Sequence, residues 1–192
     1  MTHNSTLKAS IITSIFSVAA LIGFLFGPAH PYDPTPQVHL LGLYLLVLAH
    51  TFLSVRCFSA IIDPTDRRQW LIDAGLVVSY VGLAWNIKDA TSFWLWWFGL
   101  FFLATIKYVL LIGRLHHKTL LRRKITADLL GMVFPFVVTY LSILSIKYIP
   151  WVEQNRFFSG PVEMGSLAVF ALASAYYFFI RPLYVPDKMS AL

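Results

Sequence analysis

Charged residues are scarce in this chain, and cysteine is nearly absent. Only 12% of the 192 residues are Asp, Glu, Lys or Arg, whereas 58% are hydrophobic and the mean hydropathy is +0.69. This composition suits a soluble domain poorly and is typical of a bundle of membrane helices. The single cysteine, Cys57, excludes an intrachain disulfide and a metal centre built from several cysteines.

Motifs of common enzymes and channels are also lacking. The chain contains no GxSxG, HExxH, Walker A or GxGxxG pattern. It reads FFSGPVEMG where a potassium channel would carry a TVGYG-type filter, and its fourth hydrophobic segment lacks the repeated arginines of a voltage sensor. We therefore expect a non-enzymatic protein that differs from voltage-gated cation channels.

The histidines do not predict a cofactor or a metal. His39 and His50 would share one helix about 16 Å apart, so they cannot ligate the same haem iron. His30 and Asp33 in a proline-rich loop are too few for a metal site. The pair His116-His117 lies in a basic loop without enough neighbouring ligands for a hydrolase or oxygenase centre. We expect neither a cofactor nor a metal.

Long hydrophobic runs, in contrast, are abundant. Each has roughly the 17–25 residues that cross a bilayer core. The predicted spans cover residues 9–26, 38–62, 69–87, 92–113, 125–149 and 162–180. The predicted fold is therefore an all-α polytopic membrane protein, with residues 1–192 forming a single bundle of six transmembrane helices.

Basic residues predict the orientation of this bundle. The loop from Arg114 to Lys124 carries five positive charges, and short Lys/Arg-rich loops stay on the cytoplasmic side. Ten of the fifteen Lys and Arg residues fall on that side: Lys8, Arg67, Arg68, Arg114, Lys118, Arg122, Arg123, Lys124, Arg181 and Lys188. We predict that both termini are inside, in a prokaryotic-type inner membrane. The net charge of +6 then indicates orientation and contact with anionic lipid rather than nucleic acid.

Two sequence patterns concern how the helices are related and packed. The stretches Arg67–Asp73 and Arg122–Asp128 share the spacing of an Arg-Arg pair and an aspartate, which predicts a weak repeat of the hairpins formed by spans two and three and by spans four and five. Small residues recur every three or four positions in spans one and six, which lets another backbone approach closely. They are Ala19, Gly23, Gly27, Ala168, Ala171 and Ala175.

Four ionisable residues lie at similar depths in four predicted spans. Arg56 and Asp73 belong to one predicted hairpin, and Lys107 and Asp128 belong to the next, so these are the expected ion pairs. An alternative is that the cations reach the interface while each aspartate caps its helix. Because Arg56 and Lys107 lean toward the midplane, we favour pairs or a cavity-facing layer.

Span two also carries a polar stripe. His39, His50, Ser54 and Cys57 lie within about 60° of one another on a helical projection. Such a stripe normally faces protein or a water-filled cavity rather than lipid. The stripe and the charged layer predict transport or permeation of an ion or small solute, by the chain alone or as a subunit. The alternative is an accessory or assembly subunit that docks a partner subunit, or a second copy, through its small-residue faces.

Overall fold

The computed structural model describes residues 3–29, 37–59, 67–113 and 118–148, with side chains for 5–29, 40–59, 67–113 and 118–133. These residues form five α-helices and no strand. The helices are α1 (His3–Phe26), α2 (Gln37–Phe58), α3 (Arg67–Trp85), α4 (Ala90–Ile112) and α5 (Lys118–Tyr148). The predicted sixth span, residues 162–180, lies outside the described residues.

Three of these helices are long and apolar enough to cross a membrane: Ser5–Phe26, Leu40–Phe58 and Ala90–Ile112. They expose large hydrophobic side chains such as Ile15 and Leu95 on the outside of the bundle, where lipid would cover them. The described part of the chain is thus all-helical, with three candidate membrane spans. Helix α3 is less apolar because it begins with Arg67-Arg68-Gln69 and carries Asp73.

The helix boundaries differ from the predicted ones at the basic end. Helix α5 begins at Lys118, seven residues before the predicted start at Ile125, so Lys124 belongs to the helix rather than to a loop. At the other end of the bundle, the Asp89 carboxylate accepts a hydrogen bond from the Ser92 amide at 3.4 Å and caps the start of α4.

The five helices surround a common interior. Helix α1 packs against α2 and α3, whereas α4 packs against α3 and α5. Helices α3 and α4 run antiparallel, since Asp73 near the start of α3 contacts Lys107 near the end of α4. A core of bulky side chains fills the half of the bundle away from this contact, including Tyr44, Leu83 and Trp97. The Trp97 indole Nε1–H donates to the Gly131 carbonyl at 3.0 Å and joins α4 to α5.

The small-residue face of α1 packs inside the chain. A Cβ atom built on Gly23 would lie 1.8 Å from the Ala84 carbonyl oxygen, and one built on Gly27 would lie 2.2 Å from the Trp85 carbonyl oxygen. The backbone that approaches these glycines is therefore α3. Because α3 already packs against Gly23 and Gly27, these two residues are not available for docking a partner.

Candidate functional site

A partly open cavity of about 470 Å³ lies between the five helices. Among the described residues, its lining reaches the end of the bundle where α1, α3 and α5 begin and where α2 and α4 end, as Lys8, Ser59 and Gln69 line it; this end is called the mouth. The polar lining residues are Lys8, His50, Thr51, Ser54, Ser59, Gln69, Asp73, Tyr80, Lys107, Tyr108, Lys124 and Asp128. Three lysines and two aspartates give the lining one positive charge in excess when His50 is neutral.

The cavity reaches well into the bundle. Along α3 its lining extends from Gln69 to Tyr80, which at 1.5 Å per residue is a depth of about 16 Å. Apolar side chains such as Ile12, Leu76 and Phe101 form the walls between the polar groups. A pocket with apolar walls and a few convergent polar groups is typical of a site for a small ligand.

Aromatic residues form the inner end of the cavity. The Phe16 and Tyr80 rings stack with their centroids 4.6 Å apart. The Tyr80 hydroxyl is hydrogen-bonded to the Thr51 hydroxyl, and the Tyr44 hydroxyl donates to the Phe16 carbonyl at 3.0 Å. These contacts join α1, α2 and α3 where the cavity meets the apolar core. In the part of the chain with described side chains, the cavity therefore ends against this aromatic layer.

A buried charged cluster forms one wall. Asp128 is 0% exposed, Lys124 2% and His50 9%. The Lys124 ammonium donates to Asp128 Oδ1, and His50 Nε2 lies 3.2 Å from that oxygen and 3.0 Å from Lys124 Nζ. Lys124 also lies over the Tyr108 ring, 4.8 Å from its centroid. Because burying a charge is costly unless it is paired, the two opposite charges stabilise each other here.

The ion pairs are not the predicted ones. The Lys107 ammonium contacts the Asp73 carboxylate on α3, whereas Asp128 is paired with Lys124 on its own helix. Within the described residues no ion pair joins Arg56 to Asp73 or Lys107 to Asp128. The predicted pairing assumed that partners come from consecutive helices of the repeated hairpins and that Lys124 lies in a loop.

The other predicted residues are distributed as follows. Arg56 is partly buried on α2 and does not line the cavity. His50 and Ser54 line it, and the Ser54 hydroxyl is hydrogen-bonded to the Tyr108 hydroxyl at 2.9 Å. Cys57 is buried in a small apolar cluster between α2, α4 and α5. The backbone of His39 belongs to α2, but its side chain lies outside the described set.

Sequence reasoning missed three functional candidates: Lys124, Tyr108 and Tyr80. For Lys124 a signal was present, because Lys124 and Asp128 are four residues apart and therefore adjacent on a helix. The tyrosines have no comparable signal, since a tyrosine within a span is more often an interfacial anchor. Among the described residues, no group of three or more His, Cys, Asp or Glu is arranged to hold a metal ion.

Asp73 is paired with Lys107 rather than with Arg56, and this difference predicts which pair of residues is energetically coupled. We expect a double-mutant cycle between Lys107→Met and Asp73→Asn to give a coupling of up to about 1 kcal/mol, because the Asp73 side chain is 48% exposed and solvent screens the pair. The matched cycle between Arg56→Met and Asp73→Asn should give less. Unfolding of the purified variants in denaturing detergent measures both; a larger coupling for Arg56 would contradict the observed pairing.

Chemically, the site can hold a small, partly polar solute with water, and it contains groups that exchange protons. Its Lys, Tyr, Ser and Thr side chains offer donors, while Asp73, Asp128 and Gln69 offer acceptors. Comparison of the chain with protein families, with curated proteins and with solved structures finds no match.

Proposed function

We propose that this chain is a non-enzymatic membrane protein that moves an ion or a small solute across the bilayer, with the cavity as its solute site. The observation that carries the proposal is the cavity itself. It extends from one end of the bundle past His50, and it combines apolar walls with charged and hydroxyl groups. Ionisable residues at membrane depth are costly, and they commonly line substrate or ion pathways.

The orientation is part of this proposal. The full chain forms six spans with both termini on the cytoplasmic side of a prokaryotic-type inner membrane. The cavity mouth lies at the helix ends that carry Lys8, Arg67, Arg68 and Lys118. Because basic loops stay inside, this arrangement corresponds to an inward-facing state, in which the aromatic layer around Tyr80 separates the solute from the outside.

The alternative function is an accessory or assembly subunit of a larger membrane complex. In this alternative, a partner would dock on a face formed by Ala19, Gly23 and Gly27, but α3 already contacts both glycines. The small-residue face of span six, at Ala168, Ala171 and Ala175, lies outside the described residues. The cavity favours transport, and a partner chain that co-purifies stoichiometrically in mild detergent would favour the alternative.

Orientation is tested by labelling single cysteines in a Cys57→Ser background. We expect Thr119→Cys, which is exposed at the start of α5, to react with an impermeant thiol reagent only in inverted membrane vesicles. Lys88→Cys, in the short connection between α3 and α4, should react only in intact cells. Labelling of Thr119→Cys from outside intact cells would reverse the orientation.

The cavity is tested by a matched pair on α4. Ala104 lines the cavity, whereas Phe102 is exposed on the outer surface of the bundle, where lipid would cover it. A charged methanethiosulfonate reagent needs water and an ionised thiol. In inverted vesicles we therefore expect Ala104→Cys to react at least tenfold faster than Phe102→Cys. Equal rates would mean that water does not fill the cavity.

The same pair identifies the solute. Inverted vesicles are incubated with a mixture of small metabolites and inorganic ions, then washed, and their contents are measured by mass spectrometry. We expect reagent treatment of Ala104→Cys vesicles to reduce the uptake of one solute class, because the adduct fills the cavity, and we expect no change in Phe102→Cys vesicles. If the two sets of vesicles retain identical contents although Ala104→Cys is fully modified, the transport proposal is wrong.

A further inference from the structure

The charged cluster on the cavity wall has an unusual hydrogen-bonding geometry. Three atoms are mutually in contact: Asp128 Oδ1, Lys124 Nζ and His50 Nε2. They come from α2 and α5, and all three side chains are buried. The spacing of 3.0 Å between His50 Nε2 and Lys124 Nζ, and of 3.2 Å between His50 Nε2 and Asp128 Oδ1, is within ordinary hydrogen-bonding range.

No single arrangement of protons satisfies all three contacts as hydrogen bonds. An ammonium only donates, a carboxylate only accepts, and a ring nitrogen either donates or accepts. If Nε2 carries a proton, it donates to Asp128 but faces the Lys124 ammonium as a second donor. If Nε2 is bare, it accepts from Lys124 but faces the Asp128 oxygen as a second acceptor. The contacts therefore suit a proton that changes its position among the three groups while the heavy atoms stay in place.

The cluster also has access to the cavity. All three residues line it, and no hydrogen-bond partner of Asp128 Oδ2 is found among the described residues, although that atom is buried. A buried carboxylate oxygen without a partner carries an energetic cost that a bound proton or water would remove. Water entering the cavity would supply either one.

Charged and titratable groups line the same cavity on each of the five described helices. They are Lys8 on α1, His50 on α2, Asp73 and Tyr80 on α3, Lys107 and Tyr108 on α4, and Lys124 on α5. The Lys107 ammonium contacts Asp73, the other cavity carboxylate, whose side chain is half-exposed near the mouth. Asp128 and His50 thus differ from Asp73 in lying deep and being shielded from bulk solvent.

We propose that the His50–Lys124–Asp128 cluster is a proton-binding site whose proton couples to movement of the solute. In the loading step, an O–H bond of a hydronium ion in the cavity breaks, an O–H bond forms at Asp128 or an N–H bond forms at His50, and water is left behind. Release reverses the step. The coupling role rests on the proposed transport function, whereas proton binding itself does not.

Proton binding is tested by infrared difference spectroscopy on the full chain in lipid nanodiscs, stepped between about pH 5 and pH 8, where imidazole and perturbed carboxyl groups change charge. We expect a carboxyl or imidazole band in the wild type that is lost in Asp128→Asn and His50→Gln. Asp73→Asn is the matched control, since it removes the other cavity carboxylate, and it should retain the band. A pH difference spectrum that Asp128→Asn and His50→Gln leave unchanged would overturn the proposal.

A second variant covers the case in which Asp128→Asn does not fold. The double variant Lys124→Met with Asp128→Leu removes both opposite charges and should fold. With His50→Gln added, it should also lack the band, and persistence of the band in this combined variant would equally overturn the proposal. Coupling is measured separately in inverted vesicles, where a pH gradient should change the uptake of the identified solute at least fivefold in the wild type and less than twofold in the double variant. A titrating cluster with gradient-independent uptake would overturn coupling, whereas vesicles without any uptake would overturn transport and leave the proton site standing.

Discussion

Lys124→Met alone is expected to lower the free energy of unfolding by about 3–5 kcal/mol, because it removes the ammonium that is paired with the buried Asp128 carboxylate. Asp128→Leu alone should have a cost of the same size, since the Lys124 ammonium would then be buried without an opposite charge. Reversible unfolding of the purified variants in mixed micelles of mild and denaturing detergent measures both changes.

The double variant Lys124→Met with Asp128→Leu should recover most of this loss. Removing both members of a buried pair in favour of apolar groups of similar volume is often nearly neutral. Lys118→Met is the matched control, since Lys118 is exposed on the same helix and its replacement should change stability by less than about 0.5 kcal/mol. If the double variant instead loses the sum of the two single losses, the residues contribute independently and the pair has no stabilising role.

Composition and hydropathy were sufficient to predict an all-helical chain with membrane-spanning helices. The described residues confirm the helical fold with five helices, three of which are candidate membrane spans. Six spans and the orientation stay predictions. The predicted start of the fifth helix, at the basic end of the bundle, was wrong for a physical reason. The lysines and arginines before Ile125 are typical of a loop between membrane spans. They are equally compatible with a helix whose first turns lie outside the bilayer core.

The pairing of Asp73 with Lys107 was not predictable from spacing alone. The stretches around Asp73 and Asp128 look equivalent in sequence, yet their surroundings in the bundle differ. The Asp73 side chain is half-exposed and contacts Lys107, while Asp128 is buried beside Lys124 and His50. Which side chain on another helix a charge meets depends on how the helices pack, and the spacing of charged residues along one helix does not determine this.

The small residues of α1 illustrate a related ambiguity. A stripe such as Ala19, Gly23 and Gly27 predicts a close helix–helix contact but does not distinguish a helix of the same chain from one of a partner. In the structure the contacting helix is α3, two elements later in the chain. This contact also positions the cavity, because α1 and α3 contribute Phe16 and Tyr80, whose stacked rings form its inner end.

Gly23→Leu is therefore expected to destabilise the bundle strongly, by about 3 kcal/mol or more, at the upper end of what overpacking costs in a well-packed core. Even a methyl group at this position would lie 1.8 Å from the Ala84 carbonyl oxygen, which is backbone and cannot rotate away. Accommodating leucine requires α1 and α3 to separate, and this would also break the stacking of Phe16 on Tyr80. The measurement is the free energy of unfolding in mixed detergent micelles.

Gly99→Leu provides the control, since a Cβ atom at Gly99 on α4 would have no described neighbour within 4 Å. We expect this variant to unfold within about 0.5 kcal/mol of the wild type, as surface substitutions usually do. Both variants add the same side chain to a helical glycine, so the difference between them reports the α1–α3 contact. Equal stability of Gly23→Leu and Gly99→Leu would mean that α1 does not pack on α3 through Gly23, and the face would again be available to a partner subunit.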